Sequence, residues 1–262
     1  MSKGKIFAGV TPAQELRQAI RDGRHRGPTR GHGIGYVHCN LAVLRKRHAF
    51  DFLLYCQRNQ RACPVLEVCD PGDPEPKRLA PGADLRTDLP RYAIYRNGAR
   101  ETDRADIREL WQEDFVAFLI GSGITFDGAL ERAGVPTDKD RWVLRTRLQT
   151  EPAGIFRGPM AVTMRWLTPE QAIIAIQVSS RFPFNHGAPI HIGDPAQIGA
   201  DLKQPLFGPP VERVPAGKVA IFWACGVTPQ EAAVAAKLDL LIAHAPAHGF
   251  VTDLESDRLC IP

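Results

Sequence analysis

Val219-Ala-Ile-Phe-Trp-Ala-Cys-Gly-Val-Thr-Pro-Gln-Glu-Ala-Ala-Val-Ala-Ala-Lys-Leu-Asp-Leu-Leu-Ile-Ala243 decides the architecture of this chain. Its first apolar run, Val219 to Phe222, reads as a strand. Thr228-Pro-Gln-Glu231 then has the form of a capping box, in which the hydroxyl accepts from the third helical N–H and the acidic side chain returns to the cap. A helix over 229–236 follows, and Leu240 to Ala243 is a second short apolar run. Strand, helix and strand within 25 residues imply an α/β layer architecture.

The same threonine-proline chemistry recurs at Thr11-Pro-Ala-Gln14 and Thr168-Pro-Glu-Gln171, predicting helices over 12–23 and 169–180. Helical spacing of Phe50, Leu53, Leu54 and Gln57 predicts another over 46–58, and a further one runs from Thr125 or Asp127 to a stop at Gly134. Val65 to Val68, Tyr92 to Tyr95, Met160 to Met164 and Phe250 to Thr252 read as strands. Asn97-Gly98 signals a hairpin, so the sheet is expected to be mixed rather than wholly parallel. The fold class expected is therefore α/β with an α+β-like mixed sheet. Residues 1–103 and 191–262 would form a larger domain from both chain ends, with 104–190 a smaller subdomain. The Pro-Gly-rich stretch Asp70 to Asp84 is too long for a mere connector and is expected to be functional or flexible.

A net charge of +4, carried by scattered basic residues, disfavours nucleic acid and fits attraction for a small anion better. The longest apolar runs, such as Phe115 to Ile120, are too short to cross a bilayer, so no membrane partner is expected. No apolar leader precedes the six cysteines, which points to reduced thiols and a cytoplasmic location. Cys56, Cys63 and Cys69 lack a C-x-x-C pair, and Pro246 breaks the helix that a His244/His248 metal pair would need. No metal site is expected.

Three polar clusters crowd the C-terminal third: Arg181-Phe-Pro-Phe-Asn-His-Gly-Ala-Pro-Ile-His-Ile-Gly-Asp-Pro195, Trp223 to Glu231, and His244 to Asp253. Glycine and proline exclude a continuous helix from the first, leaving its side chains on a shaped loop. All three are expected to converge on one concave pocket, joined by Ser122 and Arg145.

In order along almost the whole chain, Gly35-Tyr-Val-His-Cys-Asn-Leu41, Ala83-Asp-Leu-Arg-Thr-Asp-Leu-Pro-Arg-Tyr92, His186-Gly-Ala-Pro-Ile-His-Ile-Gly-Asp194 and Phe222-Trp-Ala-Cys-Gly-Val-Thr-Pro229 resemble the D-glutamate cyclase family of bacterial hydro-lyases. The resemblance implies a mixed α/β fold with a smaller subdomain. It also implies a carbon–oxygen lyase acting on a small amino or hydroxy acid, with closure of D-glutamate to 5-oxo-D-proline the leading reaction. Departures from the family pattern stand at Ser122, where cysteine is usual, at His38 for glutamine, at Arg147 for asparagine and at Thr150 for cysteine. If those positions line the pocket, another substrate is expected. A non-catalytic binder of small carboxylic acids linked to oxoproline metabolism and a metal-assisted hydratase are the competing readings, and a homo-oligomer is left open.

Lactam closure joins two groups of one molecule, so proximity replaces external activation and no cofactor is called for. Consistently, the chain has no G-x-x-x-x-G-K-[ST] phosphate loop. The reaction needs a base for the ammonium, donors for the carboxylates and an acid for departing water. His186, His191 and His244 are candidate proton carriers, with His248 a weaker one. Cys225, at a strand end just before a helix, is a candidate nucleophile or acid whose pKa that position would lower. Arg181 and Arg145 are candidate carboxylate clamps unless salt bridges with Asp194 or Asp253 consume them. Ser122, Thr125 and Thr228, at helix starts, are candidate substrate-binding hydroxyls unless their own helices consume them.

Overall fold

Local capping chemistry sets the helix starts in the computed structural model, which describes residues 10–137 and 141–262. Helix α1 (Pro12–Arg21) begins with a complete Thr11/Gln14 capping box. Helix α2 covers Lys46–Arg58, and α3 (Asp127–Arg132) follows a 3-10 turn at Gly123–Phe126. Gly134 takes φ 84°, the left-handed stop that the sequence asks of it. Thr168/Gln171 form the capping box of α4 (Pro169–Ser180).

The third box does not form. Helix α5 (Val227–Ala235) starts early, with Gly226 at its cap and no side-chain cap bond. The Thr228 hydroxyl instead accepts from the Ala161 N–H at 3.0 Å and donates to the Ala161 carbonyl at 3.2 Å, tying the helix to the neighbouring strand.

Among the described residues, eleven strands lie in two sheets. The first contains β1 (Tyr36–Arg45), β2 (Val65–Val68), β3 (Tyr92–Arg96), β4 (Ala99–Arg100), β5 (Phe115–Gly121), β10 (Leu241–His244) and β11 (Phe250–Glu255). Its order is β2-β5-β1-β10-β3-β4, with β11 paired to the first half of β1. The second contains β6 (Arg141–Gln149), β7 (Pro159–Leu167), β8 (His191–Ile192) and β9 (Val219–Ala224), in the order β6-β7-β9-β8. Asn97 and Gly98, at φ 50° and 81°, make the two-residue turn joining β3 to β4.

Every strand pairing among the described residues is antiparallel, which corrects the expectation of a mixed sheet. The strand-helix-strand stretch from Val219 to Ala243 explains why. Its first strand, β9, belongs to the second sheet and its last, β10, to the first, so α5 crosses between sheets rather than completing a parallel unit within one.

The first sheet is covered on both faces. Leu44, Phe52, Tyr55, Phe118 and Phe156 pack on one side, and Leu41, Val43, Leu85, Leu119 and Phe250 on the other. This double burial lets β1 run buried from Val37 to Leu44 with His38 and Asn40 inside it. The Asp70 to Asp84 stretch is fastened down rather than loose. Glu67 accepts from the Arg78 and Leu79 N–H groups at 2.9 and 2.8 Å, and Leu79, Ala80 and Ala83 join the core. No helix among the described residues is long and apolar enough to cross a membrane, and all six cysteines are free thiols.

Candidate active site

Where the two sheets meet, the chain encloses a cavity of about 240 Å³. Alternation along the second sheet puts Arg141, Val143, Thr163, Arg165 and Trp223 on its cavity face. The first sheet contributes Asn40 and His244, and connections contribute Ser122, His186, Cys225 and Gly226. Thus each C-terminal cluster reaches the same space, the first through His186, the second through Cys225 among others and the third through His244, together with Ser122.

His186 and His244 are each almost completely buried, and burial lowers the pKa of both to about 4. Both rings are therefore neutral near pH 7, and their backbone partners select different tautomers. The His186 Nδ1 lies 2.9 Å from the Arg61 carbonyl, which only accepts, so Nδ1 carries the proton and Nε2 is left as an acceptor. The Leu41 N–H donates to His244 Nδ1 at 3.3 Å, so there Nε2 carries the proton.

The His186 backbone sits at φ 79°, unusual for a residue other than glycine, and its neighbour holds it. Asn185, wholly buried, donates to the Thr125 hydroxyl at 2.9 Å and the Ser122 carbonyl at 3.3 Å. The loop also presses on β5 so closely that a Cβ at Gly121 would lie 2.0 Å from the Phe184 carbonyl oxygen. Asn40 donates to the Gly121 carbonyl at 3.1 Å, and its amide lies against Gly226.

Cys225 departs from the expected low pKa. Burial pushes its thiol up, with only partial opposition from the Thr163 side chain and the Val227 backbone. It lines the cavity as a neutral thiol, suited to donating a weak hydrogen bond rather than to attack.

The floor holds charges that the sequence reading missed. Arg141 and Arg165 stand directly opposite each other in the β6/β7 register. Both are paired to Asp127: Arg141 contacts both carboxylate oxygens at 2.7 Å, and Arg165 contacts one of them. Burial pushes the Asp127 carboxyl up and the Arg141 guanidinium opposes it. The Arg141 Nε and the Arg165 Nε and Nη1 are buried without partners, each a cost of about 1–3 kcal/mol. An arginine inside the apolar run Met160 to Leu167 was the available signal, because a buried charge must find a counter-charge.

Several expected site residues lie elsewhere. Arg181 caps α4 at the surface, where its Nε donates to the Ile261 carbonyl at 3.0 Å. Arg145 is consumed by an ion pair with Glu231, not with the aspartates expected; Asp253 pairs with Arg17 and Asp194 caps Ala196. His191 faces the opposite side of the second sheet, beside Phe222, with its Nε2 2.9 Å from the Asp194 carbonyl. Thr125 is spent on the backbone N–H and carbonyl of His38 and on Asn185, and Thr228 is spent on Ala161. His248, whose Nδ1 lies 2.7 Å from the Pro246 carbonyl, is also outside the lining. Of the four departures from the family pattern only Ser122 lines the cavity. His38 faces a neighbouring pocket, Arg147 reaches the Ala196 carbonyl, and Thr150 bonds Tyr55 and Gly158.

Residues 116–253, from β5 to β11, match the family model described as D-glutamate cyclase. A Stutzerimonas stutzeri protein named "Putative hydro-lyase" is 48% identical over 97% of this chain and 97% of its own length. A Bacillus subtilis protein, "Putative hydro-lyase YcsI", is 46% identical over 95% of this chain and 98% of its own. A crystal structure of a nitrogen repressor-like protein from Methanococcus jannaschii aligns over 88% of this chain and 91% of its own at 13% identity, with a TM-score of 0.38. With the family model matching more than half of the chain and relatives 46–48% identical covering nearly all of it, the chain belongs to the D-glutamate cyclase family and is an enzyme of the hydro-lyase type.

Proposed function

We propose that this cavity binds D-glutamate and closes it to 5-oxo-D-proline with loss of water. The observation that carries this reading is the pair of neutral histidines held in opposite tautomers on one cavity. Closure forms one C–N bond, breaks one C–O bond and moves two protons from nitrogen to the departing oxygen. No oxidant, reductant or nucleotide enters that balance. The His186 Nε2 takes the first proton from the ammonium, freeing the amine to attack the side-chain carboxyl carbon. The His186 Nε2–H returns that proton to a carboxylate oxygen, then takes the second proton from the attached nitrogen and delivers it to the departing hydroxyl, which leaves as water, while the neutral His244 Nε2–H donates a hydrogen bond to that oxygen. The two carboxylates of the bound substrate favour protonated imidazole and move His186 from about 4 toward the neutral range where proton transfer works best. Ser122 and Cys225, both in the cavity lining, serve in this reading as hydrogen-bond donors to the tetrahedral oxygen.

Incubating the full-length protein separately with D- and L-glutamate, and following 5-oxoproline chromatographically, tests the reading. The D isomer is expected to be consumed preferentially. Absence of product from folded protein overturns the cyclase reading and leaves family membership standing. Because Ser122 replaces the usual cysteine in the cavity wall, thermal-shift screening of small amino and hydroxy acids then separates a different substrate from binding without turnover.

A further inference from the structure

We infer that Arg141 and Arg165, held by Asp127, form a buried subsite for one carboxylate group of a small organic acid. The inference rests on the cavity being the substrate site but not on cyclisation as its chemistry.

Like charges directly opposite in an antiparallel pair repel, yet Arg141 and Arg165 occupy such a position at the base of the cavity. Guanidinium groups stay protonated in proteins, so the trio carries an excess of one positive charge even with Asp127 fully ionised. Glu231, an acidic side chain in the cavity lining, is engaged by Arg145 and does not supply the missing charge. Arg165 is 3% exposed and lies over Trp223, 5.8 Å from the ring centroid, so water does not neutralise it either. The three unpartnered N–H donors, Arg141 Nε and Arg165 Nε and Nη1, belong to this same pair. Both arginines line the cavity, where a planar anion with two acceptor oxygens supplies the missing charge and suits guanidinium groups, which is the geometry of a carboxylate. Asp127 is the positioning residue: its two oxygens hold both guanidinium groups beside each other at the cavity lining.

Calorimetric titration of the full-length protein with glutarate, which has two carboxylates and no amine to react, tests the subsite against glutaramide, its neutral counterpart. Glutarate is expected to bind saturably, at least about 30-fold more tightly than glutaramide. Arg165→Gln and Arg141→Lys should each weaken it about tenfold or more. Should Arg165→Gln fail to fold, Arg141→Lys, which keeps the charge and loses the fork, decides the matter. Equal affinity for glutarate and glutaramide, or folded variants within about threefold of the parent, overturns the subsite. Glutarate binding without 5-oxoproline formation sustains the subsite while the cyclase reading falls. Unchanged KM for D-glutamate in both variants removes the subsite and leaves the cyclase reading in place.

Discussion

His186 and His244 present opposite proton states to one cavity because their Nδ1 atoms face opposite backbone groups, the Arg61 carbonyl at 2.9 Å and the Leu41 amide at 3.3 Å. Asparagine imitates the Nδ1 side of histidine and lacks Nε2. His186→Asn and His244→Asn should therefore keep those backbone bonds, and Asn tolerates the positive φ at 186. We expect each to lower kcat by about 10²-fold or more with an unfolding midpoint close to that of the parent. His191→Asn, on the other face of the sheet, is the control and should stay within about twofold in kcat. Steady-state kinetics beside thermal unfolding checks all three, and retained turnover in the first two would remove them from the chemistry.

Buried histidines make stability fall on acidification. His38, His186 and His244 are each lowered to about 4 by burial, whereas an unfolded histidine titrates near 6.5. Between those values the unfolded chain binds more protons than the folded one, so unfolding free energy rises with pH across this window and flattens above it. The loss on going from pH 7 to pH 4 is at most about 3 kcal/mol per histidine. Chemical denaturation at pH 7.5, 6, 5 and 4 should show most of the loss below 6.5, and a flat profile down to 4 contradicts the buried neutral rings.

A thiol raised by burial is a slow nucleophile. Iodoacetamide at pH 7.5 should label the partly exposed Cys260 well before Cys225, as read by peptide mass spectrometry. Cys225→Ala should cost no more than about tenfold in kcat, in keeping with a hydrogen-bonding wall residue. Rapid labelling of Cys225 with parallel loss of activity would restore it as a nucleophile.

The His186 loop depends on a missing side chain. At Gly121 a Cβ would meet the Phe184 backbone carbonyl at 2.0 Å, and backbone cannot swing aside as a flexible side chain does. Gly121→Ala should destabilise the protein by about 3 kcal/mol and displace Asn185 and His186. Gly27→Ala, where the nearest atom is a His25 ring carbon at 3.9 Å, should change stability by less than about 0.5 kcal/mol. Equal midpoints for the two variants would show that the loop is not pinned there.

What the sequence by itself determined lies at short range. The capping boxes at Thr11 and Thr168, the Asn97-Gly98 turn and the Gly134 stop each need only neighbours within a few residues, and each forms where read. The resemblance assigned the family, and with it Ser122, His186, Cys225 and His244 were within reach. Tertiary structure decided the rest, because a side chain's role depends on what competes for its polar atoms. Thr228 reads as a cap, but Ala161 of another strand offers its hydroxyl two backbone partners. Arg145 and Arg141 lie on the same face of β6 four residues apart. Yet the first meets Glu231 near the surface, while the second meets Asp127 over the cavity floor, a distinction set by where α5 and α3 pack. Likewise, strand and helix patterns in Val219 to Ala243 are local. That β9 and β10 enter different sheets, opening the cavity between them, follows only from pairing with β7 and with β1 and β3, strands distant in sequence whose contacts local periodicity does not encode.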